Sequence, residues 1–255
     1  MSERKPSRRR IDQLLVERGE AESRTRAQAL VMAGVVFAGP PGKLQRIGKS
    51  GQQIAENWAI EVRGRDHPWV GRGGVKLDHA IRHFGLDASG AVAMDIGSST
   101  GGFTEVLLHH GAAHVFAVDV GTNQLAWKLR QDDRITVLEQ TNARALTPAL
   151  IDRPCDWVVC DASFIGLAKV LEVPLALAAP QARVVALIKP QFEVAKHEVG
   201  KGGIVRDETL RRRVCDEVTG WLDESGWRVD GLTESPITGT EGNVEFLVHA
   251  TRGMA

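Results

Sequence analysis

The sequence predicts an α/β protein in which a small N-terminal α+β unit precedes a mostly parallel, seven-stranded sheet. Three observations support this fold. Strand-like and helix-like segments alternate after residue 75, which is typical of a parallel sheet. Continuous apolar runs such as 184–188 suit strands that are buried on both faces. A glycine-rich turn at 97–102 follows the first of these strands and opens a helix, as in α/β sheets that bind nucleotide-like ligands.

Residues 1–68 predict a separate small domain. Positions 11–16 carry apolar residues at helical spacing, and Ser23 is the expected N-cap of a second helix. Short strands are expected at 35–37 and 58–62. A unit of this size is near the lower limit for independent folding.

A linker is expected at 69–75, and the larger domain at 76–255. Its predicted strands are 92–97, 114–119, 135–140, 156–161, 183–189, 228–233 and 244–249. Its predicted helices lie near 75–84, 102–110, 124–130, 165–178 and 207–225.

Charge is distributed unevenly along the 255 residues although the net charge is zero. Residues 1–76 hold 15 lysines and arginines against 8 acidic residues, whereas the remainder holds 17 against 24. Such asymmetry indicates a polyanionic partner for the basic part. Composition alone leaves RNA, DNA and a membrane surface open as that partner.

Several other classes of protein are disfavoured. Cys155, Cys160 and Cys215 have no zinc-site spacing and are expected to be reduced core thiols. The histidines show no metal-ligand spacing, so no metal is predicted. The N-terminus is polar and arginine-rich, and the longest uncharged stretch, 27–42, is too short to span a bilayer. We therefore expect neither export nor a membrane role.

The turn from Asp95 to Phe103 carries the sharpest chemical signal. An aspartate at the strand end would repel a pyrophosphate but suits a ligand with a positive amino-acid end, such as S-adenosylmethionine. Gly97 and Gly101 are expected to let the backbone approach that ligand. Asp119, at the end of the next strand, is placed to accept ribose hydroxyls. The alternative is an ordinary strand–turn–helix whose glycines only ease packing.

A second group of candidates is dispersed along the chain. Asp161 and Lys189 end two predicted strands, so both should face the ligand crevice at the carboxyl edge of the sheet. Lys76 opens the helix before the first strand, and Glu245 is expected within the last strand. Each residue alone has an ordinary structural explanation, and spacing does not link the four.

These four residues resemble the Lys-Asp-Lys-Glu tetrad of FtsJ-type ribose 2′-O-methyltransferases. The chain from residue 10 to about 250 is similar to the TlyA (haemolysin A) family, in which an S4 RNA-binding domain precedes an FtsJ-like domain. The matching segments are 71–77, 95–103, 141–144, 161–165, 189–193 and 242–245.

The resemblance implies a Rossmann-like class I methyltransferase domain, S-adenosylmethionine as cofactor, and 2′-O-methylation of a cytidine in ribosomal RNA in the cytoplasm. Family members that also modify the small subunit are usually longer than this chain at the C-terminus, which favours large-subunit RNA. The implied catalytic residues are Lys76, Asp161, Lys189 and Glu245. The expected cofactor-binding residues are Asp95, Gly97, Ser98, Ser99, Gly101, Gly102, Phe103, Asp119, Val120, Asn142 and Asp161.

The residue types suit this chemistry. A ribose 2′-hydroxyl must lose its proton as it attacks a sulfonium methyl, and a lysine beside another cation can act as the base. Lys189 is the expected base and Lys76 the support for the hydroxyl, although sequence does not separate the two. DNA lacks the 2′-hydroxyl, so the tetrad predicts an RNA substrate.

The basic residues of the N-terminal part form a plausible phosphate-binding face, together with a tail that contains Arg4 and Lys5. The expected RNA-binding residues are Arg8, Arg9, Arg10, Arg24, Arg26, Lys43, Arg46, Lys49 and Arg72. The irregular segment 193–206 is either a lid over the target nucleotide or a disordered loop. Other functions considered are a non-catalytic RNA-binding or ribosome-assembly factor, a small-molecule methyltransferase and a membrane-lytic haemolysin.

Overall fold

A computed structural model describes residues 7–21, 23–32, 34–40, 42–63, 67–239 and 241–254. The predicted basic tail with Arg4 and Lys5 lies outside the described residues. The N-terminal part contains helices α1 (Ile11–Glu17) and α2 (Arg24–Met32). Its five strands are β1 (Arg8–Arg10), β2 (Val36–Gly39), β3 (Gln45–Arg46), β4 (Gln53–Ala55) and β5 (Ala59–Val62).

Both N-terminal helices and two of these strands match the sequence prediction. The backbone N–H of Arg26 donates to Ser23 Oγ at 3.2 Å, as expected of an N-cap. β3, β2 and β5 form one antiparallel sheet, and β1 pairs with β4 in a second. A separate apolar core lies between the helices and these strands, with Ile11, Leu15 and Ile54 fully buried.

The larger part is built on a seven-stranded sheet. Its strands are β6 (Val92–Ile96), β7 (His114–Val118), β8 (Ile135–Leu138), β9 (Cys155–Cys160), β10 (Ala178–Ile188), β11 (Arg228–Glu234) and β12 (Phe246–Arg252). Their order is β11-β12-β10-β9-β6-β7-β8. The pairs among β6 to β10 are parallel, whereas β12 runs antiparallel to both of its neighbours. The predicted mostly parallel α/β fold is confirmed.

Helices cover both faces of this sheet. They are α3 (Gly73–Phe84), α4 (Gly102–His109), α5 (Trp127–Arg130), α6 (Leu167–Leu177), α7 (Pro190–Glu193) and α8 (Glu208–Glu224). One apolar core includes Leu171 and Leu222 from α6 and α8, and the other includes Leu77 and Leu107 from α3 and α4. The apolar run of β10 is buried because it faces both cores.

Two sequence expectations change in the structure. The helix predicted at 124–130 is the single turn α5, which begins only at Trp127 because Ala126 has an extended ψ of 139°. Leu125 and Ala126 pack into the core before that turn. Within the predicted linker 69–75, Trp69 and Val70 are buried in the core beneath α3, and α3 already begins at Gly73. Residues 64–66 lie outside the described part.

The antiparallel direction of β12 places Glu245 at the edge of the sheet where the parallel strands end. Parallel strands place their carboxyl ends at one edge of the sheet. Because β12 is antiparallel, its first residue lies at that edge, and Phe246 is in register with Ile188. Glu245 therefore lies beside Lys189 just before β12 begins, and its predicted place within the strand is wrong.

The three cysteines are free and buried. Burial raises the pKa of Cys155 and Cys160 to about 12 and that of Cys215 to about 11, so these thiols are poor nucleophiles. Among the described residues, no helix is long and apolar enough to cross a membrane. The same residues contain no cluster of three or more metal-ligating side chains.

Candidate active site

The four dispersed candidates meet at the carboxyl edge of the sheet. Lys76 reaches this edge from α3, whereas Asp161 and Lys189 directly follow β9 and β10. Lys76 Nζ donates to Glu245 Oε2 at 2.7 Å and lies 3.8 Å from Asp161 Oδ2. Lys189 Nζ lies 2.6 Å from Asp161 Oδ1. The cluster therefore contains two cations and two anions, joined through Asp161.

Three members of the cluster are almost completely withdrawn from solvent, whereas the Asp161 side chain is 19% exposed. The exposed fractions of Lys76, Lys189 and Glu245 are 7%, 6% and 3%. Lysine and glutamate are seldom buried unless they are paired, because an isolated buried charge loses its hydration. The equal numbers of cations and anions explain how this group can remain inside the protein.

Asp161 stands between the two lysines and pairs with both. Two further acceptors orient Lys189: its Nζ donates to the main-chain oxygen of Asp161 at 3.0 Å and to Ser163 Oγ at 2.9 Å. An ammonium has three N–H donors, so these bonds leave one direction for Asp161 Oδ1 or a substrate hydroxyl. The sequence analysis did not identify Ser163 as part of the site.

Gly239 makes room for Glu245. A Cβ at Gly239 would lie 2.6 Å from Glu245 Oε1, closer than side-chain contacts allow. Asn243, also buried, fastens the neighbouring loop. Its Nδ2 donates to the carbonyl of Gly203 at 2.9 Å, and its Oδ1 accepts from the backbone N–H of Val205 at 2.9 Å. Sequence reasoning did not assign either role.

A cavity of about 460 Å³ opens beside the cluster, a volume typical of ligand-binding sites. Its lining contains all four cluster residues and these predicted cofactor-binding residues: Gly97, Ser98, Ser99, Gly102 and Phe103. The other predicted cofactor-binding residues lie outside the lining: Asp95, Gly101, Asp119, Val120 and Asn142.

Asp95 lies directly behind the glycine-rich turn. Its Oδ2 accepts from Thr104 Oγ1 at 2.6 Å, whereas its buried Oδ1 has no hydrogen-bond partner among the described residues. Burial raises the pKa of Asp95 to about 7. A cationic ligand group nearby would favour the carboxylate, so this aspartate fits the ammonium end of S-adenosylmethionine.

Asp119 organises the neighbouring loop. Its Oδ2 accepts from the backbone N–H of Ser99 at 2.8 Å, and its Oδ1 accepts from that of Gly121 at 2.7 Å. Each carboxylate oxygen has a second lone pair, so Asp119 can still accept from ribose hydroxyls. Val120 is largely exposed, and Asn142 caps a short 3₁₀ turn by accepting from the N–H of Arg144 at 3.0 Å.

From the sequence, Gly97 and Gly101 were expected to let the backbone approach a ligand. The structure shows that neighbouring protein atoms also require glycine at both positions. A Cβ at Gly101, where φ is +94°, would overlap Leu129 Cδ1 and lie 2.7 Å from Leu125 Cδ1. A Cβ at Gly97, where φ is +79°, would lie 2.8 Å from Ala162 Cα. Both glycines are thus required by neighbouring protein atoms and by their left-handed backbone.

An aromatic pair stands at the cavity wall. Phe164 is 90% exposed, has a φ of +66°, and lies with its ring centroid 5.1 Å from that of Phe192. Both rings line the cavity. Glu193 holds the Phe164 loop in place because its Oε1 accepts from the backbone N–H of Leu167 at 2.8 Å. The sequence analysis did not identify this pair as functional.

The segment 193–206 is structured and forms part of the cavity wall. It contains a 3₁₀ turn at Lys196–Glu198 and a β-bridge between Gly200 and Ile204. Val199 and Gly203 line the cavity. Arg213 of α8 binds Glu198 through two hydrogen bonds of 2.8 and 2.9 Å. Of the two alternatives that the sequence left open, a lid and a disordered loop, the structure shows an ordered segment and so contradicts the second.

The predicted RNA-binding residues are divided between two places. Arg72 lines the cavity and donates to the carbonyl of Thr238 at 3.0 Å. The others lie in the N-terminal part, where Arg9 pairs with Glu17 and lies 3.6 Å from Glu56. Most of their side chains are exposed, namely those of Arg8, Arg24, Arg26, Lys43, Arg46 and Lys49.

Comparison with known proteins gives consistent matches. The family model of FtsJ-like methyltransferases matches residues 69–252. The 16S/23S rRNA (cytidine-2′-O)-methyltransferase TlyA of Mycobacterium tuberculosis is 46% identical over 94% of this chain and 89% of that protein. Hemolysin A of Brachyspira hyodysenteriae is 37% identical over 94% of this chain and 98% of that protein.

Solved structures share the architecture. A Streptococcus thermophilus protein superposes with a TM-score of 0.74 at 40% identity, covering 98% of this chain and 90% of that one. A Listeria monocytogenes protein, provisionally described as an S-adenosylmethionine-dependent methyltransferase, has a TM-score of 0.53 at 13% identity. The match covers 72% of this chain and 100% of that chain, and at this low identity it shows the fold alone.

Proposed function

Because the chain belongs to the family of FtsJ-like methyltransferases, we propose that it transfers a methyl group from S-adenosylmethionine to the ribose 2′-hydroxyl of a cytidine in ribosomal RNA. The observation that carries this proposal is the ion-paired cluster of Lys76, Asp161, Lys189 and Glu245 beside the cavity. Large-subunit RNA is the preferred substrate in this proposal, and such a substrate implies action in the cytoplasm.

The cluster supplies what this reaction needs from the protein. S-adenosylmethionine, when bound, supplies the electrophilic methyl group. The 2′-oxygen forms a bond to that methyl carbon while the carbon–sulfur bond breaks, and the hydroxyl proton must pass to a base. Lys189 is the proposed base because it lines the cavity and two hydrogen bonds fix its Nζ. In the neutral amine these two bonds use both N–H donors, which leaves the lone pair to accept the hydroxyl proton.

Lys76 and the two carboxylates have supporting roles. Lys76, held by Glu245 at 2.7 Å, can donate to the 2′-oxygen and orient the hydroxyl. Asp161 keeps both lysines in one place, which fixes the geometry before the substrate arrives. Positioning of this kind can supply much of the rate enhancement.

Exposed Phe164, supported by Phe192, is proposed to stack against the base of the target nucleotide. A nucleotide in a structured RNA must leave its stack to reach an enclosed site, and an aromatic ring replaces part of the lost stacking. The segment 193–206, which forms one wall of the cavity, is proposed to enclose that nucleotide.

The residues near Asp95 and Asp119 are proposed to hold the cofactor. Asp95 suits the ammonium end, and Asp119 suits the ribose hydroxyls. Residues 1–68 are proposed to be an S4-like domain whose arginines and lysines bind RNA phosphates, followed by the methyltransferase domain. Phosphate contacts would position the enzyme without reading bases.

The function can be tested by offering isolated large and small ribosomal subunits together with methyl-labelled S-adenosylmethionine. We expect label in large-subunit RNA at a single cytidine, which nuclease digestion and mass spectrometry would locate. A protein that binds the cofactor and RNA but transfers no label would instead be the non-catalytic RNA-binding factor considered above.

A further inference from the structure

A buried carboxylate in the N-terminal part holds two arginines together. The side chain of Asp12, in the first turn of α1, is fully buried. Arg10 binds it through Nε–Oδ1 and Nη2–Oδ2 hydrogen bonds of 2.9 and 2.8 Å. Arg24 donates to Oδ2 from Nε and Nη2, each at 3.3 Å, and Gln28 Nε2 does so at 3.3 Å. One carboxylate therefore joins β1, α1 and α2.

The guanidinium of Arg10 is also restricted on another side. A Cβ at Gly51 would lie 3.3 Å from Arg10 Nη2 and 3.4 Å from Nη1, so the backbone at Gly51 lies against the guanidinium. The backbone N–H of Asp12 donates to the carbonyl of Ser50 at 3.2 Å, which fixes this loop to α1. Arg10 thus has a defined orientation between Asp12 and the 50–52 loop.

Both arginines nevertheless remain accessible. The exposed fractions of the Arg10 and Arg24 side chains are 41% and 54%. A guanidinium has five N–H donors, and each of these arginines uses only two nitrogens on Asp12. The cluster keeps a net charge of +1 and retains unused donors whose directions are already set. Planar, oriented N–H donors of this kind match the oxygens of a phosphodiester.

We propose that Asp12 is a positioning residue for RNA binding, which orients Arg10 and Arg24 so that together they grip one backbone phosphate. This inference rests on the proposed function, because it takes RNA as the ligand of the N-terminal part. Asp12 does not itself touch the RNA. Ordering the two arginines before binding lowers the entropy that would otherwise be lost when the phosphate is captured.

Positioning by Asp12 and simple charge attraction predict opposite changes in RNA affinity when Asp12 loses its charge. Asp12→Asn adds one positive charge to an RNA-binding surface, which by itself would strengthen attraction to RNA. If Asp12 positions the arginines, the same change weakens binding. Glu61→Gln is the matched control, because it adds an equal charge in the same part of the chain at an exposed pair with Arg63.

The experiment measures the affinity of the full-length protein for fluorescently labelled, transcribed large-subunit ribosomal RNA over a range of salt concentrations. We expect Asp12→Asn to weaken binding about tenfold and to lower the salt slope by about 1, as for the loss of one phosphate contact. Glu61→Gln should bind as tightly as the wild type or more tightly. In methyl-transfer assays the Asp12→Asn loss should fall on KM for RNA rather than on kcat.

A double-mutant cycle separates positioning from a purely structural role. In the background of Arg10→Ala with Arg24→Ala, adding Asp12→Asn should weaken RNA binding no further, because Asp12 acts only through these arginines. Arg10→Lys, which keeps the charge but loses the planar fork, should also weaken binding. This variant answers the question if thermal unfolding shows that Asp12→Asn does not fold.

The outcomes separate the RNA-binding role of this surface from the positioning role of Asp12. If the Arg10→Ala, Arg24→Ala protein binds RNA as tightly as the wild type, the proposed RNA-binding role of this surface fails. If that protein binds weakly while folded Asp12→Asn binds as tightly as the wild type or more tightly, only the positioning role of Asp12 is overturned. With an unfolded Asp12→Asn, wild-type affinity in Arg10→Lys overturns it.

Discussion

The two parts of the molecule use the same arrangement of charge with different cations. In the larger part Asp161 lies between two lysines, and in the N-terminal part Asp12 lies between two arginines. The lysines are buried at a cavity, whereas the arginines are partly exposed. A lysine can give up its proton in a suitable environment, but an arginine remains charged. We infer that lysine suits the proposed proton transfer in the larger part, whereas arginine suits the proposed phosphate binding in the N-terminal part.

Replacing Lys189 by arginine gives the larger part the type of cation that the N-terminal part uses. We expect this change in the rate of methyl transfer to be the largest of the effects predicted here. Lys189→Arg keeps the positive charge beside Asp161 but cannot accept a proton, so we expect methyl transfer to fall by about 10²- to 10⁴-fold. Initial rates with labelled cofactor would measure this.

Lys189→Ala is the companion variant, and it should lose transfer to a similar extent. Calorimetric titration with S-adenosylmethionine should show that both variants still bind the cofactor. If the arginine variant kept most of the wild-type rate, charge rather than proton acceptance would be the contribution of Lys189, and the distinction between the two parts would fail.

Because the lysine cluster is buried, breaking one of its ion pairs should lower stability more than breaking an exposed ion pair. Glu245→Gln leaves Lys76 buried with a weaker partner, so we expect the free energy of unfolding to fall by about 3–5 kcal/mol. Glu61→Gln breaks an exposed pair with Arg63 and should cost no more than about 1 kcal/mol. Urea unfolding of both variants measures the contrast, and equal losses would contradict the importance assigned to burial.

Asp95 and Asp12 are both fully buried, yet their pKa values are displaced in opposite directions. Burial raises the pKa of Asp95 to about 7, whereas the Arg10 guanidinium holds the pKa of Asp12 well below its usual range. A raised pKa means that the folded state holds its proton more tightly. The stability associated with protonated Asp95 is therefore present below about pH 4 and is lost as the pH rises through about 7.

The unfolding free energy relative to Asp95→Asn should thus decline by up to about 4 kcal/mol between about pH 4 and 7. The unfolding free energy of the wild type relative to Asp12→Asn should stay level above about pH 4. It should decline as the pH falls further, because the lowered pKa shows that the folded protein stabilises ionised Asp12. Urea unfolding at a series of pH values measures both curves. Parallel curves would contradict the opposite environments of these two aspartates.

Alanine substitutions at two glycines, Gly101 and Gly51, should differ in their effects on stability, and this is the smallest difference that we predict. Gly101→Ala would force a Cβ against Leu129 and Leu125 in a left-handed backbone and should cost about 1–3 kcal/mol. Gly51→Ala faces only the Arg10 guanidinium at 3.3 Å and should change stability by no more than about 0.5 kcal/mol. Thermal unfolding compares them, and a cost at Gly51 as large as that at Gly101 would mean that Arg10 is held more rigidly than its exposure indicates.

Much of the fold could be predicted because periodic patterns carry it. The alternation of apolar runs with amphipathic segments indicated all seven strands of the large sheet. The strand Arg8–Arg10 was not predicted, because three consecutive arginines show no apolar alternation and the strand depends on pairing with Gln53–Ala55. The position of Glu245 was wrong because sequence does not reveal where β12 begins.

The site was less predictable, since single residues leave no periodic signal. Asp161 and Lys189 were candidates because they end predicted strands, but only family resemblance linked all four cluster residues, and their distances required the fold. Ser163 and Asn243 act through tertiary hydrogen bonds to Lys189 and to the 203–205 backbone, which nothing local in the sequence indicates. Asp12 was missed because a helical aspartate is usually exposed, and its burial depends on two arginines from other elements.

If the lysine cluster directs methylation to a ribose hydroxyl, alkaline hydrolysis of the product RNA should reveal it. A 2′-O-methyl group blocks cleavage of the adjacent phosphodiester, because cleavage needs the free 2′-hydroxyl as nucleophile. Ribosomal RNA methylated with labelled cofactor should therefore release its label in alkali-resistant dinucleotides, and the Lys189→Arg protein should incorporate label at a rate about 10²- to 10⁴-fold lower. Label recovered in mononucleotides would place the methyl group on a base and would contradict ribose 2′-O-methylation by this protein.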